Sequence, residues 1–429
     1  SLVACFASKR LGSRWWAFAL FAVVPLYGVL LIARNDLHIA LQLTGYCTVL
    51  LAVCMVCHGE LVRLRPEPSR LTSFYLCVAL GGALGSAFVA LLAPLLFDDF
   101  HELPLGLALA WILAFVCWLL DKRSALYGRR TLLVTFVVAL ALTGLGAVQL
   151  YAMQGDRVML ETRRSFFGVL WVGQLRSRDP RDTVHALGHG VTVHGTQLFD
   201  EQRRREPTTY YGPKSGVGVT LLNLPREQDA FKVGVIGLGV GTLATYGTEG
   251  DVFRFYELNP DVIRLARGEG SYFSFLSSTP ATVEIIEGDA RLSMELEAER
   301  GDLQGYHVLV LDAFSSHAIP VHLLTRDCFE IYLKHLAQNG VIAAHIGNPH
   351  VNLLPVLARL ADHFGLEIAL VEHRGDDHVR YDSQWVLLTR DKRFFEIPGV
   401  RTKLKALDVD PDDSPLWTDD YSNPLGLMY

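Results

Sequence analysis

Through the first third of the chain the apolar positions follow neither the two-residue period of a strand nor the 3.6-residue period of an amphipathic helix; they run unbroken. Five stretches, residues 15–33, 37–57, 71–97, 103–120 and 131–153, contain no Asp, Glu, Lys or Arg. Crossing the hydrocarbon of a bilayer takes about 20 such residues, with every backbone polar group bonded inside the segment. Five membrane helices are therefore expected, since helices buried in a soluble protein would keep a polar stripe. The fourth run is short, and the third is long enough to tilt. Gly81, Gly82, Gly85 and Ser86 give the third run a small-residue face suited to close packing against another helix. Residues 1–8 read as the tail of an earlier apolar segment, so further helices are expected before Ser1.

From Asp156 the pattern changes to short alternating segments broken by turn residues. Residues 158–161, 167–172, 183–187 and 191–193 are expected as strands of small antiparallel sheets, with Gly188-His189-Gly190 as a turn. After Arg226 strands alternate with helices, which requires crossovers and a mostly parallel sheet. The strands are placed at 232–236, 253–257, 283–286, 308–311, 341–345, 368–371 and 384–388. A helical stretch is expected after the first of them, and Asn259-Pro260 opens another helix. The predicted architecture is a multi-pass α-helical membrane domain (1–153), a small β-subdomain (154–226) and an α/β Rossmann-like domain of about seven strands (227–429).

Charge sharpens this division. Residues 1–152 carry 11 Lys/Arg and 7 Asp/Glu, and the remainder carries 28 and 38. With a total of −6, binding of nucleic acid through bulk positive charge is not expected. Expected partners are a lipid bilayer and a small molecule; a homodimer is also allowed. Six of the seven cysteines precede residue 118, and only Cys328 falls in the polar part, so no disulfide framework is expected there. Cys54-Met-Val-Cys57-His58 matches a haem-attachment pattern but closes an apolar helix, where thiols serve as small packing residues. His185, His189 and His194 lack a Cys or carboxylate at ligand spacing, so structural or polar-contact roles are expected and no metal site.

Candidate chemistry gathers at strand ends. Gly237-Leu238-Gly239-Val240-Gly241-Thr242 follows the first Rossmann strand, where Gly237, Gly239 and Gly241 allow a tight turn and bring backbone N–H groups to a ligand. Glu257 ends the next strand, 20 residues after Gly237, where a carboxylate accepts from two ribose hydroxyls and repels a 2′-phosphate. Asp289 follows the third strand, placed to accept from an exocyclic adenine amine or to cap the helix it begins. Asp312 ends the fourth, facing whatever the glycine loop binds, and an acid there holds a cationic amine or takes its proton. No Tyr-x-x-x-Lys pair follows that would suit hydride transfer.

These residues resemble the spermidine synthases, and more closely the membrane-fused spermidine synthase-like proteins of bacteria. The resemblance runs through Cys57-His58-Gly59-Glu60-Leu61, Arg63-Leu64-Arg65-Pro66, residues 187–197, Arg205-Glu206-Pro207-Thr208-Thr209-Tyr210-Tyr211-Gly212-Pro213, the glycine loop, Tyr256-Glu257-Leu258-Asn259-Pro260, Gly288-Asp289-Ala290 and residues 312–323. It implies a small β-domain before a methyltransferase-type Rossmann domain that binds decarboxylated S-adenosylmethionine as co-substrate and transfers its aminopropyl group to a diamine. Gln197 then matches the glutamine near the thioether nucleoside, Glu257 the ribose-binding acid, Asp289 the adenine-contacting acid and Asp312 the base. Tyr210 and Tyr211 fall in the amine-binding segment. The chain departs from the soluble synthases at three places. Gly-Gly-Gly-Asp-Gly-Gly becomes the loop above, with Val240 at the acid that helps anchor the aminopropyl amine. Asp-Ser-Ser-Asp becomes Asp312-Ala313-Phe314-Ser315, and Tyr-Gln-Glu becomes Tyr210-Tyr211-Gly212.

Three functions remain open on the residues: an aminopropyltransferase, a methyltransferase using S-adenosylmethionine itself, and a nucleotide-binding membrane module without turnover. Sidedness is also open. With five spans, ten Lys/Arg lie on the face shared by the N-terminal stretch and residues 58–70 and 121–130 and four on the face of the soluble domain, which places that domain outside the cytoplasm. Supply of S-adenosyl nucleotides argues for the cytoplasm. The cluster His58, Glu60, Arg63 and Arg65 fits a membrane-edge group or a contact surface for the catalytic domain.

Overall fold

A computed structural model describes residues 5, 27, 39–122, 127–128, 157–177, 179–190, 192–226, 230–313, 320–347, 351–375, 379–407 and 409–427. The chain divides into two compact units, Ser1–Gly155 and Asp156–Tyr429. In the first, α1 spans Ile39–Arg63 and α3 spans Glu102–Leu120. Between them α2 runs through Leu71–Ala87, a π-helical turn at Phe88–Leu92 and a last turn at Ala93–Leu96. By length and composition these three helices can cross a membrane, with apolar spans of 24, 29 and 19 residues. Leu76, Leu80, Leu84, Leu91 and Leu95 of α2 are all exposed. The runs predicted at 15–33 and 131–153 lie outside the described residues.

Val56 of α1 packs on Trp111 and Ala114 of α3. At the polar ends of the pair, Arg63 is ion-paired with Asp121 at 2.8 Å, and the Trp118 indole donates to Glu60 at 3.2 Å. Part of the predicted charged cluster therefore ties two helix ends together. Among the described residues no atom outside the helix's own backbone lies within 4 Å of a Cβ placed on Gly81, Gly82 or Gly85 of α2.

The second unit opens with a four-stranded antiparallel sheet in chain order: β1 (Arg157–Ser165), β2 (Gly168–Leu175), β3 (Val184–His189) and β4 (Thr192–Leu198). Gly188 is where it must be glycine, because a Cβ would stand 2.0 Å from the Trp171 ring. That indole crosses β3 and donates to the Gly190 carbonyl at 2.8 Å.

The larger sheet contains β5 (Lys232–Ile236), β6 (Val252–Glu257), β7 (Thr282–Glu287), β8 (Tyr306–Leu311), β9 (Leu336–His345), β10 (Glu367–His373), β11 (Ser383–Thr389) and β12 (Leu404–Lys405). Their spatial order is β12-β10-β11-β9-β8-β5-β6-β7, with β11 antiparallel to both neighbours and β5 through β9 parallel. This is the doubly wound Rossmann-like arrangement, with a reversed strand near one edge. The short β12 makes it eight strands rather than seven.

Alternation along the strands sorts side chains into two apolar layers, as a sheet covered on both faces requires. Phe253, Phe255, Val308, Val310, Val341 and Trp385 face one layer, with Val217, Val219 and Leu221. Tyr256, Leu309, Leu311, Ile342 and Val386 face the other, with Phe329 and Leu357. Val217–Leu221 belong to a helix that the pattern did not predict, α4 (Gly216–Asn223), capped by the Ser215 hydroxyl accepting from Gly218 N–H. The two sheets of this unit are joined by Arg264 to Glu161 at 2.5 Å and by Arg163 to Asp261 at 3.0 Å.

Candidate active site

The strand order reverses between β5 and β8, so their carboxyl ends border the crevice where doubly wound sheets bind ligands. Gly237 N–H donates to the Tyr256 carbonyl at 2.9 Å, and Asp312 N–H to the Ile236 carbonyl at 3.0 Å. Gly237 has φ +95°, and a Cβ there would stand 2.4 Å from the Asp312 carbonyl oxygen, so only glycine allows this approach. The loop passes directly into a five-residue 3-10 segment, Thr242–Tyr246, where a longer helix was expected. The N-terminal end of a full helix, which holds the pyrophosphate of dinucleotides, is therefore missing from this loop.

Glu257 is held by the loop it serves. Its carboxylate accepts from Leu238 N–H at 3.0 Å and from Asn259 N–H at 2.8 Å. Burial raises its pKa, and these backbone donors partly offset the rise. A carboxylate offers about four acceptor positions, so capacity remains for a ribose hydroxyl.

The Asp312 side chain is 4% exposed, and both of its oxygens are engaged. Oδ2 accepts from the Tyr211 hydroxyl at 2.5 Å, and Oδ1 lies 2.9 Å from His345 Nδ1. Burial and the Asp312 charge hold the Tyr211 phenol well above its ordinary pKa, so it stays a donor. The His345 ring stacks on Tyr210 at 4.3 Å between centroids and lies 4.9 Å from Trp385. The Trp385 indole in turn donates to the Tyr210 carbonyl at 3.2 Å. Thr209, just before the tyrosines, is buried with φ +52°, an unusual conformation for a β-branched residue. Two bonds hold it there: Thr209 N–H to the Val379 carbonyl and Tyr381 N–H to the Thr209 carbonyl, at 2.7 and 3.0 Å.

One cavity of about 260 Å³ joins these groups. Tyr210, Tyr211, Gly237, Gly239, Glu257, Asp289 and Asp312 all line it. Asp289 serves as the helix cap anticipated for it, accepting from Leu292 N–H at 3.0 Å, and it also lies 3.1 Å from His322 Nε2. Two predicted residues stand elsewhere. Gln197 is buried away from the cavity wall, donating to Ser274 Oγ and the Arg204 carbonyl and accepting from Ser274 N–H. Its amide joins the four-stranded sheet to the Rossmann-like part. Gly241 also lies off the wall; its missing side chain makes room for Leu276, 2.5 Å from a Cβ placed there.

His345, which holds Asp312, is the main residue of the candidate site that the sequence reading passed over. It ends a predicted strand beside the switch point, the same signal that singled out Asp312. His189 and His194, expected in structural or contact roles, line the cavity together with Phe167. His185 does make a contact, its Nδ1 lying 3.0 Å from the Tyr272 carbonyl. Among the described residues no cluster of His, Cys, Asp and Glu has the make-up of a metal site.

Fold and cavity together define a Rossmann-like unit with a crevice at the switch point and a carboxylate, Asp312, beside its glycine loop. The chain is 30% identical over 194 residues to the polyamine aminopropyltransferase of Vibrio vulnificus (strain CMCP6), a match covering 44% of this chain and 60% of that relative. The spermidine synthase of Thermotoga maritima is a structural neighbour at TM-score 0.39 and 15% identity, covering 60% of this chain and 82% of the other. A probable spermidine synthase from Corynebacterium glutamicum ATCC 13032 gives 0.40 and 15%, covering 54% and 79%. No family model matches the chain. The resemblance read from the motifs is thus met by a curated relative named for aminopropyl transfer.

Proposed function

We propose that the protein is an aminopropyltransferase that moves the aminopropyl group of decarboxylated S-adenosylmethionine to an amine. The observation that carries this reading is Asp312, fixed by Tyr211 and His345 and lining one cavity with Glu257 and the glycine loop. Glu257 and Asp289 suit the ribose and adenine of a nucleoside, and the short 3-10 segment after the loop suits a donor without phosphates.

In the reaction the acceptor nitrogen attacks the aminopropyl carbon bonded to sulfur. The C–S bond breaks with its electron pair going to sulfur, which leaves as neutral 5′-methylthioadenosine. The acceptor arrives as an ammonium and must lose a proton to attack, and Asp312 takes it. The leaving group is already good, so the protein acts mainly by positioning: Tyr211 and His345 fix the base, while Glu257 fixes the nucleoside.

One observation favours methyl transfer from S-adenosylmethionine as a second reading. Val240, at the position of the family acid, is buried against Gly195, 2.6 Å from a Cβ placed there, and offers no charge to an aminopropyl ammonium. Mass spectrometry of the purified chain incubated with either nucleotide and mixed amines separates the two. Release of 5′-methylthioadenosine with a mass gain of one aminopropyl group on an amine supports the first reading. S-adenosylhomocysteine with methylated product supports the second.

The three apolar helices support a place in a membrane, with the runs at 15–33 and 131–153 as two further spans. The charge count favours an extracytoplasmic second unit.

A further inference from the structure

A second knot of polar side chains reaches the cavity at Asp289. His322, in the 3-10 turn Val321–Leu323, also lines the cavity; because a carboxylate only accepts, its Nε2 donates to Asp289 Oδ2 at 3.1 Å. The imidazole is 51% exposed, and a pair so open to water adds little to stability. Its backbone is nevertheless fixed. Arg291, in the first turn of the helix Ala290–Glu299, donates to the His322 carbonyl at 3.2 Å and grips both oxygens of Asp419 at 2.7 and 2.5 Å. Such a two-bond pair sets geometry as well as charge. Asp419 accepts also from Thr325 Oγ1 at 2.9 Å, and its N–H donates to Asp327 Oδ2 at 3.0 Å. Asp419 thus ties the turn that carries His322 to the helix that Asp289 caps.

From these contacts we infer that His322, held by Arg291 and Asp419, is a positioning residue for recognition of the nucleobase by Asp289. The inference rests on the nucleoside-binding part of the aminopropyltransferase reading. Leu292 N–H takes one acceptor position of Oδ1 and His322 one of Oδ2, so the carboxylate is fixed at both oxygens and keeps about two positions free. With the plane of the group set, those positions have set directions. An exocyclic amine on the base donates to one of them, whereas a 6-oxo base presents a carbonyl oxygen that the carboxylate repels. Released from His322, the group turns about its terminal torsion, whose energy profile is broad, and the contrast between amine and carbonyl falls. Asp419 is not among the residues lining the cavity, and its effect is carried by Arg291 and His322.

The test measures, by calorimetry on the full chain in detergent, affinities for 5′-methylthioadenosine and 5′-methylthioinosine, which carry a 6-amino and a 6-oxo base. The wild-type chain is expected to prefer the first by at least about tenfold. His322→Ala should lower that preference about fivefold, by weakening the 6-amino nucleoside alone. His322→Gln, which keeps an N–H donor, should hold the preference within about twofold of wild type. Asp419→Asn should lower it about threefold while the 6-oxo nucleoside binds as before. Equal affinities in the wild-type chain, a preference unchanged or raised in His322→Ala, or an equal loss for both nucleosides overturns the inference and leaves the transferase reading standing. If the wild-type chain binds neither nucleoside, both fall together.

Discussion

Replacing Asp312 by asparagine separates chemistry from architecture at the centre of the cavity. The carboxylate accepts from Tyr211 at 2.5 Å and faces His345 Nδ1 at 2.9 Å. An asparagine oxygen can keep the Tyr211 bond. Its NH₂ then meets Nδ1, which the imidazole satisfies by carrying its proton on Nε2. Two bonds to a charged group become two between neutral groups, a loss of about 1–3 kcal/mol in stability. The domain should therefore still fold. Loss of the general base should cost about 10²–10⁴ in turnover, equivalent to roughly 3–5 kcal/mol of barrier. Affinity for the nucleoside should stay within about threefold, because Glu257 and Asp289 are untouched. Single-turnover release of 5′-methylthioadenosine measures the first quantity, and calorimetry with the donor nucleoside measures the second. Turnover within about tenfold of wild type would refute Asp312 as the base.

Glu257→Ala should weaken adenosine-type ligands by about 2 kcal/mol through lost charge-assisted bonds to the ribose. Because burial raises the Glu257 carboxyl and ribose hydroxyls bind its ionised form, affinity should fall as pH drops, starting above the ordinary carboxylate range; a pH-independent affinity by calorimetry would count against its role. Gly188→Ala should cost about 1–3 kcal/mol because its Cβ meets the Trp171 ring, read as a melting temperature lowered by several degrees; an unchanged melt would show that the indole moves freely. For sidedness, Cys328 is buried and silent, whereas Gln202 is exposed. Gln202→Cys should react with a membrane-impermeant reagent in intact spheroplasts, and labelling only after lysis would place the unit in the cytoplasm.

Much of the site was legible because strand ends beside a glycine loop are local signals. Gly237, Glu257, Asp289 and Asp312 each follow a short β-rich run, and the fold brings them to one crevice. His345 ended such a run too, but its partners Asp312 and Tyr210 are remote in sequence, and no local pattern joins them. Gln197 has a partner no local pattern shows either: its amide bonds Ser274, 77 residues further on. Helix α4 was missed because Gly216-Val-Gly-Val carries poor helix formers. Its helix is imposed by the Ser215 cap and by packing so close to Trp385 that a Cβ on Gly216 would stand 2.3 Å from it.

The two hydrogen bonds that clamp Thr209 to the β10–β11 connection also fix the order in which the site can be assembled. Tyr210 and Trp385 are 175 residues apart, and the strained Thr209 backbone gains its partners only when Val379 and Tyr381 are in place. Closing so long a loop is among the slower steps of folding. During synthesis, strands β5 through β9 are complete before Val379 and Tyr381 emerge, so the clamp on Thr209 closes after them. A chain ending before Val379 would keep Glu257, Asp289 and the glycine loop but would lack both bonds that hold Thr209, the residue before Tyr210.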